Sequence, residues 1–286
     1  MTTKMDRRCA IITGGASGIG RALAGELSGK GIHIVIADRQ VELAGQAASA
    51  IRANGGSAQV AELDVRNAED FHDLVQGTAA DCGRLDYLFN NAGIVVIGEA
   101  AGFDLADWEE VIDVNLQGVS NGIHAAYPLM KRQGYGHIIN TASMAGLVPV
   151  PMIGASYVAS KHGVVGLSQA LRCEAARYGV NVSVICPGAV RTPAMEGKGR
   201  YGRMKMEPAV WAAITRKSSF ITMEPVEFAR RVLRSVERNR SIIIEPNSMR
   251  LLWAFYRCSP WLCMKLISAA QSRMETDLIK GMDNIP

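Results

Sequence analysis

Tyr157 and Lys161 are the pair in this chain best suited to moving a proton. Residues four apart on a helix share a face. A free phenol titrates near ~10 and is a poor base at neutral pH. An ammonium ~4 Å from the phenolate gives about 4 kcal/mol at an effective dielectric near ~20. At ~1.4 kcal/mol per unit, that lowers the phenol by roughly three units, while desolvation opposes the shift. The expected catalytic pKa is then near the operating pH. Such a group fits proton removal from an alcohol while a cofactor takes the hydride from carbon.

Hydride chemistry needs a bound dinucleotide, and one segment is built to hold it. Thr13-Gly14-Gly15-Ala16-Ser17-Gly18-Ile19-Gly20 follows a strand-like run and opens a helix-like one. Small residues there let the backbone approach a pyrophosphate, and the helix N-terminus offers free N–H groups to that anion. The spacing is Gly-x-x-x-Gly-x-Gly. Asp38 follows at the end of a second strand, where a carboxylate accepts from the adenosine ribose hydroxyls. It would repel a 2′-phosphate by about 4 kcal/mol at ~4 Å. Arg39 comes next and would soften that repulsion. With no basic residue inside the glycine loop, NAD is expected over NADP.

Seven short apolar runs read as strands: 9–13, 32–37, 58–63, 85–90, 136–143, 182–186 and 241–245. Helical patterns over 19–28, 41–53, 68–80, 108–131, 156–178 and 225–238 alternate with them. Such alternation predicts βαβ units and a parallel sheet covered on both faces. The expected fold is a single doubly wound α/β domain of Rossmann type, with a seven-stranded sheet. It spans residues 1–247, with a stretch rich in Gly, Met, Lys and Arg between Thr192 and Glu224. An apolar extension over 248–286 is expected to pack on it.

Further motifs keep a fixed order: Asn90-Asn91-Ala92-Gly93, then Asn115, Ser143, Tyr157-Val158-Ala159-Ser160-Lys161, Pro187-Gly188 and Thr192. Together with the glycine loop they closely resemble the short-chain dehydrogenase/reductase family, in its shorter, non-extended branch, over about residues 6–245. The resemblance implies that Asn115, Ser143, Tyr157 and Lys161 form the catalytic set. It places Gly14, Ser17, Gly18, Ile19 and Gly20 along the pyrophosphate. Asp38, with Arg39 beside it, would hold the adenine ribose, and Asp64 and Val65 would flank the adenine. Asn91, Ala92 and Gly93 would border the middle of the cofactor. Pro187, Gly188, Val190 and Thr192 would contact the nicotinamide half. Lys161 would also hold the nicotinamide ribose, and Asn115 a relay water behind it. Dimers or tetramers formed through the two long helices are a further implication.

Composition narrows the alternatives. Apolar residues make up 48% of the chain and charged residues 20%. That is a normal globular mix. The net charge of +4 gives no case for nucleic acid. The six cysteines form no Cys-x-x-Cys, and no histidine stands at zinc spacing from them, so no metal site is expected. Cys9, Cys173 and Cys186 lie in apolar runs and are expected to pack as small hydrophobes. Reduced thiols and the lack of a signal-peptide pattern suggest a cytoplasmic protein. His162 is expected on the far side of its helix. Basic residues after Arg191 read as a solvated face.

The resemblance also implies a substrate flap over about 192–224, to which Met195, Met204, Met206, Trp211 and Phe220 would give an adaptable apolar underside. The tail crowds Leu251, Leu252, Trp253, Phe255, Tyr256, Trp261 and Leu262, interrupted by Arg250, Arg257 and Pro260. It is too short in apolar residues to span a bilayer, and two short amphipathic helices fit it better. Packing over the substrate mouth or against another subunit is favoured over membrane contact through 248–272. Flap and tail together suggest a bulky, apolar small-molecule substrate. The rival readings are a non-catalytic NAD-binding sensor or scaffold, and a peripheral membrane protein.

Overall fold

The computed structural model describes residues 7–150, 154–194, 202–207, 211 and 222–282. Strands β1 Cys9–Thr13, β2 His33–Asp38, β3 Ala58–Glu62 and β4 Tyr87–Asn90 alternate with helices α1 Gly18–Ser28, α2 Val41–Ala53 and α3 Ala68–Cys82. The chain continues through β5 Val95–Ile97, α4 Leu105–Ile112, α5 Gly118–Gln133, β6 Gly136–Thr141, α6 Ala155–Ala175, β7 Val180–Pro187 and β8 Gly202–Met204. Helix α7 Pro225–Glu237, β9 Ile242–Glu245, α8 Met249–Cys258 and α9 Pro260–Met282 complete it.

Seven strands form one parallel sheet in the order β3-β2-β1-β4-β6-β7-β9. All of β1, Cys-Ala-Ile-Ile-Thr, is buried, as a strand covered on both faces requires. One apolar core joins Leu23 of α1, Ala48 of α2 and Phe228 of α7 to one face. Phe71 of α3 and Met130 of α5 pack on the other, and Val164 of α6 continues that layer. Strand order reverses between β1 and β4, so a crevice opens at their carboxyl ends, where ligands of such sheets bind.

Three local departures from the sequence reading bear on the site. The single helix expected over 108–131 is α4 and α5 joined by a π-helical turn, Asp113–Gln117, which carries Asn115. A separate parallel pair, β5 with β8, ties the segment after β4 to the flap. In the tail, α8 is short as expected, but α9 runs from Pro260 to Met282 and is long. No described helix is long and apolar enough to cross a membrane.

Candidate active site

The carboxyl ends of the strands open on a cavity of about 1120 Å³. At one end lies the glycine loop. Ser17 is the N-cap of α1, yet its side chain makes no capping bond, and no acidic residue occupies the first turn. The positive end of the helix is therefore left uncompensated beside Gly14, Gly18 and Ile19, all of which line the cavity. Gly20 does not line it. A Cβ there would come within 2.2 Å of the Gly14 carbonyl oxygen, so the residue keeps the loop closed on itself. Thr13 Oγ1 accepts the Asn91 and Ala92 amides at 2.9 and 3.0 Å, and Asn91 Nδ2 donates to the Thr13 carbonyl at 3.0 Å. The amide of Asn91 thus ties β1 to β4 while its edge borders the cavity.

Asp38 closes β2 and is largely buried. Its Oδ2 accepts the Ala16 amide and its Oδ1 the Gln40 amide, each at 3.0 Å. A carboxylate has about four lone-pair sites, so capacity is left for ribose hydroxyls. Arg39 lies on the same wall and reaches to 3.7 Å from Asp64 Oδ2. Arg66 grips Asp64 more closely, with Nη2 at 2.5 Å, and this hydrogen bond holds the Asp64 carboxyl below its usual pKa. Val65 lies beside it on the same wall.

At the cavity's other end, Ser143, Tyr157 and Lys161 come together from β6 and α6. Ser143 follows β6 in an extended conformation and its Oγ accepts the Ala145 amide at 3.1 Å. The Ser143 hydroxyl stands near enough to the Tyr157 hydroxyl to stabilise its phenolate form. Lys161 Nζ lies 5.6 Å from the centroid of the Tyr157 ring and donates to the Thr141 carbonyl at 2.9 Å. The shared helix face expected of the pair is present.

Burial governs the electrostatics of the pair. Tyr157 keeps part of its surface open to the cavity, yet protein surrounds it closely enough for desolvation to push the phenol above its usual pKa. The Ser143 hydroxyl pulls the other way. Burial also lowers Lys161 to about 8. Desolvation therefore outweighs the ammonium in the protein alone. Cys186, next to Pro187, is close enough to both groups to act on them electrostatically, and burial raises its thiol to about 12.

Asn115 sits behind this group, not on the cavity wall. Its Oδ1 accepts the Ile94 amide at 2.8 Å, and its Nδ2 donates to the Ile94 carbonyl at 2.9 Å and to Ser160 Oγ at 3.2 Å. A Cβ on Gly93 would lie 3.1 Å from Asn115 Oδ1 and 3.4 Å from Lys161 Nζ, so that position sits tightly between them. Pro187, Gly188, Val190 and Thr192 line the cavity after β7. Of the predicted site residues, only Gly20 and Asn115 lie off its wall.

The far wall was only partly foreseen. Trp211 lines it and is buried, and Leu252 of α8 and Ile267 and Ala270 of α9 close it. Met144, Val148 and Val150, from the segment between Ser143 and Tyr157, also line the cavity. The flap strand β8 is held by ions: Arg203 Nε lies 2.8 Å from Asp107 Oδ1 and Nη2 2.9 Å from Glu110 Oε2, with Lys205 Nζ 3.0 Å from Asp107 Oδ2. Met204 lies in β8, while Met195 and Phe220 fall outside the described residues. Cys9 and Cys186 are buried as expected, but Cys173 is exposed because it faces outward from α6. His162 is exposed on the outer side of the same helix.

Known proteins are similar to this chain in sequence and fold. The cyclohexanol dehydrogenase of Acinetobacter sp. (strain SE19) is 35% identical over 209 residues, 73% of this chain and 83% of that protein. The crystal structure of a short chain dehydrogenase/reductase from Burkholderia phymatum in complex with NAD matches with a TM-score of 0.82 at 28% identity, covering 91% of this chain and 96% of that one. An actinorhodin polyketide ketoreductase crystallised with NADPH matches with a TM-score of 0.75 at 30% identity, covering 86% of this chain and 97% of that one. The family model for short chain dehydrogenases matches residues 8–200, and with these relatives it establishes that the chain belongs to the short-chain dehydrogenase/reductase family.

Proposed function

We propose that the protein is an NAD(H)-dependent oxidoreductase that interconverts a secondary alcohol and a ketone, or an alcohol and an aldehyde, on a bulky apolar substrate. The observation that carries this reading is the grouping of Ser143, Tyr157 and Lys161 on one cavity with an uncompensated helix N-terminus. The glycine cradle fits a pyrophosphate, and Asp38 fits an unphosphorylated ribose. When bound, the nicotinamide supplies the hydride acceptor or donor.

The chain's own residues then handle position and proton. Gly14, Ser17, Gly18 and Ile19 receive the pyrophosphate, and Asp38 the adenine ribose. Asp64 and Val65 flank the adenine, and Pro187, Gly188, Val190 and Thr192 hold the nicotinamide half. Ser143 Oγ holds the substrate oxygen, and the Tyr157 hydroxyl gives or takes its proton. Lys161 stabilises the phenolate. Asn115 fixes the backbone at Ile94 and carries the relay behind Lys161.

Leu252, Ile267, Val148 and Trp211 favour an apolar substrate of some bulk. We read residues 1–247 as the catalytic domain and 248–286 as an extension packed on it. By family analogy the protein is a homo-oligomer.

The test is NADH formation with a panel of alcohols, and NADH consumption with the matching ketones. Tyr157→Phe should lose nearly all turnover while binding NADH as before. Equal turnover in the variant would overturn the assignment of the acid/base. Turnover confined to sugars would overturn the apolar substrate class.

A further inference from the structure

At the end of the sheet opposite the cavity, three metal-ligating side chains converge from separate elements. Cys9 opens β1, His33 opens β2, and Cys82 is the last residue of α3. One ligand atom from each lies within 4.8 Å of the others. The two sulfurs are 3.0 Å apart, and both thiols are free. Cys9 is fully buried, Cys82 is 7% exposed, and His33 is partly exposed and gives the group a face toward solvent. His33 Nδ1 lies 2.7 Å from Ser57 Oγ. Outer contacts of this kind fix a ligating imidazole.

Packing alone accounts poorly for this trio. A thiol pair can serve as small hydrophobes, but such a pair gains nothing from an imidazole beside it. Two sulfurs and one imidazole nitrogen are a ligand set that zinc takes in preference to hard cations. Asp86 is close by but already committed. Its Oδ2 accepts the Cys9 amide at 2.9 Å, and Arg84 Nη2 lies 2.6 Å from its Oδ1. A water would complete a tetrahedral set.

We propose that Cys9, His33 and Cys82 form a binding site for one divalent cation of the zinc type, which clasps the end of α3 to the starts of β1 and β2. Zn–S bonds of ~2.3 Å in tetrahedral geometry require sulfurs roughly 3.8 Å apart, so the two thiols must move apart by somewhat under ~1 Å. Binding replaces two S–H bonds with two metal–sulfur bonds and releases two protons, and no electron is transferred. Affinity should therefore rise with pH across the neutral range. The site stands at the far end from Tyr157 and takes no part in hydride transfer.

The test uses the full chain, reduced and stripped with a chelator, titrated with Zn²⁺ and separately with Cd²⁺. One ion per chain, two protons released per ion, and a thiolate-to-cadmium charge-transfer band in the ultraviolet are expected. At a hundredfold excess over the dissociation constant, zinc should raise the Tm by about 5–10 °C. Cys82→Ser should abolish the band and the Tm rise, and Ser57→Ala should weaken binding about tenfold or more. Circular dichroism and the metal-free Tm check that the variants fold, and His33→Ala serves if Cys82→Ser does not. Absence of saturable one-to-one binding would overturn the proposal, as would a cadmium band that survives both Cys82→Ser and His33→Ala. A Cys9–Cys82 disulfide recovered from the zinc-loaded protein would overturn it too.

Discussion

Replacing Lys161 with methionine keeps an unbranched side chain, one atom shorter, and removes its charge. In the structure its Nζ stands 5.6 Å from the centre of the Tyr157 ring. A cation and a phenolate at that separation attract by about 3 kcal/mol at an effective dielectric near ~20. That corresponds to roughly two pKa units on the tyrosine. Lys161→Met should therefore move the acidic limb of the pH profile for alcohol oxidation upward by about two units, measured as kcat at saturating cofactor. Turnover at neutral pH should fall about a hundredfold, and the gap should close as pH rises past the new midpoint. In the native protein burial lowers the lysine to about 8. Its charge is thus complete below that pH and is lost as pH climbs through it. The substitution also leaves the Thr141 carbonyl without its donor. That is a stability cost of about 1–3 kcal/mol, which a Tm measurement would register separately. A loss of equal size at every pH, with the midpoint unmoved, would refute the electrostatic account and leave Lys161 as a binding residue alone.

Asp38→Ser removes a charge that repels a 2′-phosphate by about 4 kcal/mol, so the ratio of kcat/KM for NAD over NADP should fall by up to about a thousandfold. An unchanged ratio would place the discrimination elsewhere. Truncating Leu252 and Ile267 together to alanine should raise KM for bulky apolar substrates about tenfold per side chain, with kcat little altered. A ring no larger than cyclohexanol should respond less, and equal effects on all substrates would contradict the proposed far wall. His137 is buried, and burial lowers it to about 4 from an ordinary 6.5. Ser183 Oγ donates to the Arg240 carbonyl, so it accepts from His137 Nε2, which fixes the neutral tautomer. The unfolded chain binds this proton first as pH falls from 6.5 toward 4, so stability declines across that window, by about 2 kcal/mol at pH 5. Urea denaturation at pH 7 and pH 5 should show that decline in the native protein and little of it in His137→Gln.

How much was legible in the sequence depended on how local the signal was. Buried strands such as Ile34–Ala37 announce themselves because a parallel strand covered on both faces leaves no polar alternation. The glycine loop and the Tyr157–Lys161 pair were readable because each depends on fixed spacing within a short stretch of chain. Asn115 was marked only by resemblance. The π-helical turn that aims it at Ile94 adds a residue to one turn, and a 3.6-residue periodicity cannot register that. The short strands β5 and β8 are too brief to carry a pattern, and each exists only through the other. The long tail helix and its Ile267 contact depend on packing across the cavity, with no nearby residue to signal it. Cys9, His33 and Cys82 lie far apart in the chain, and only the parallel register of β1 with β2 and the return of α3 bring them together.

The cavity draws its catalytic groups and its far wall from different stretches of chain. Everything grouped around Tyr157 and the glycine loop comes before residue 194, whereas Leu252, Ile267 and Ala270 come from helices added after the last strand. Substitutions in those two helices can therefore reshape what is admitted without disturbing proton transfer. Descendants of such a protein can exchange one preferred molecule for another through drift in the tail alone, with the reaction itself inherited intact.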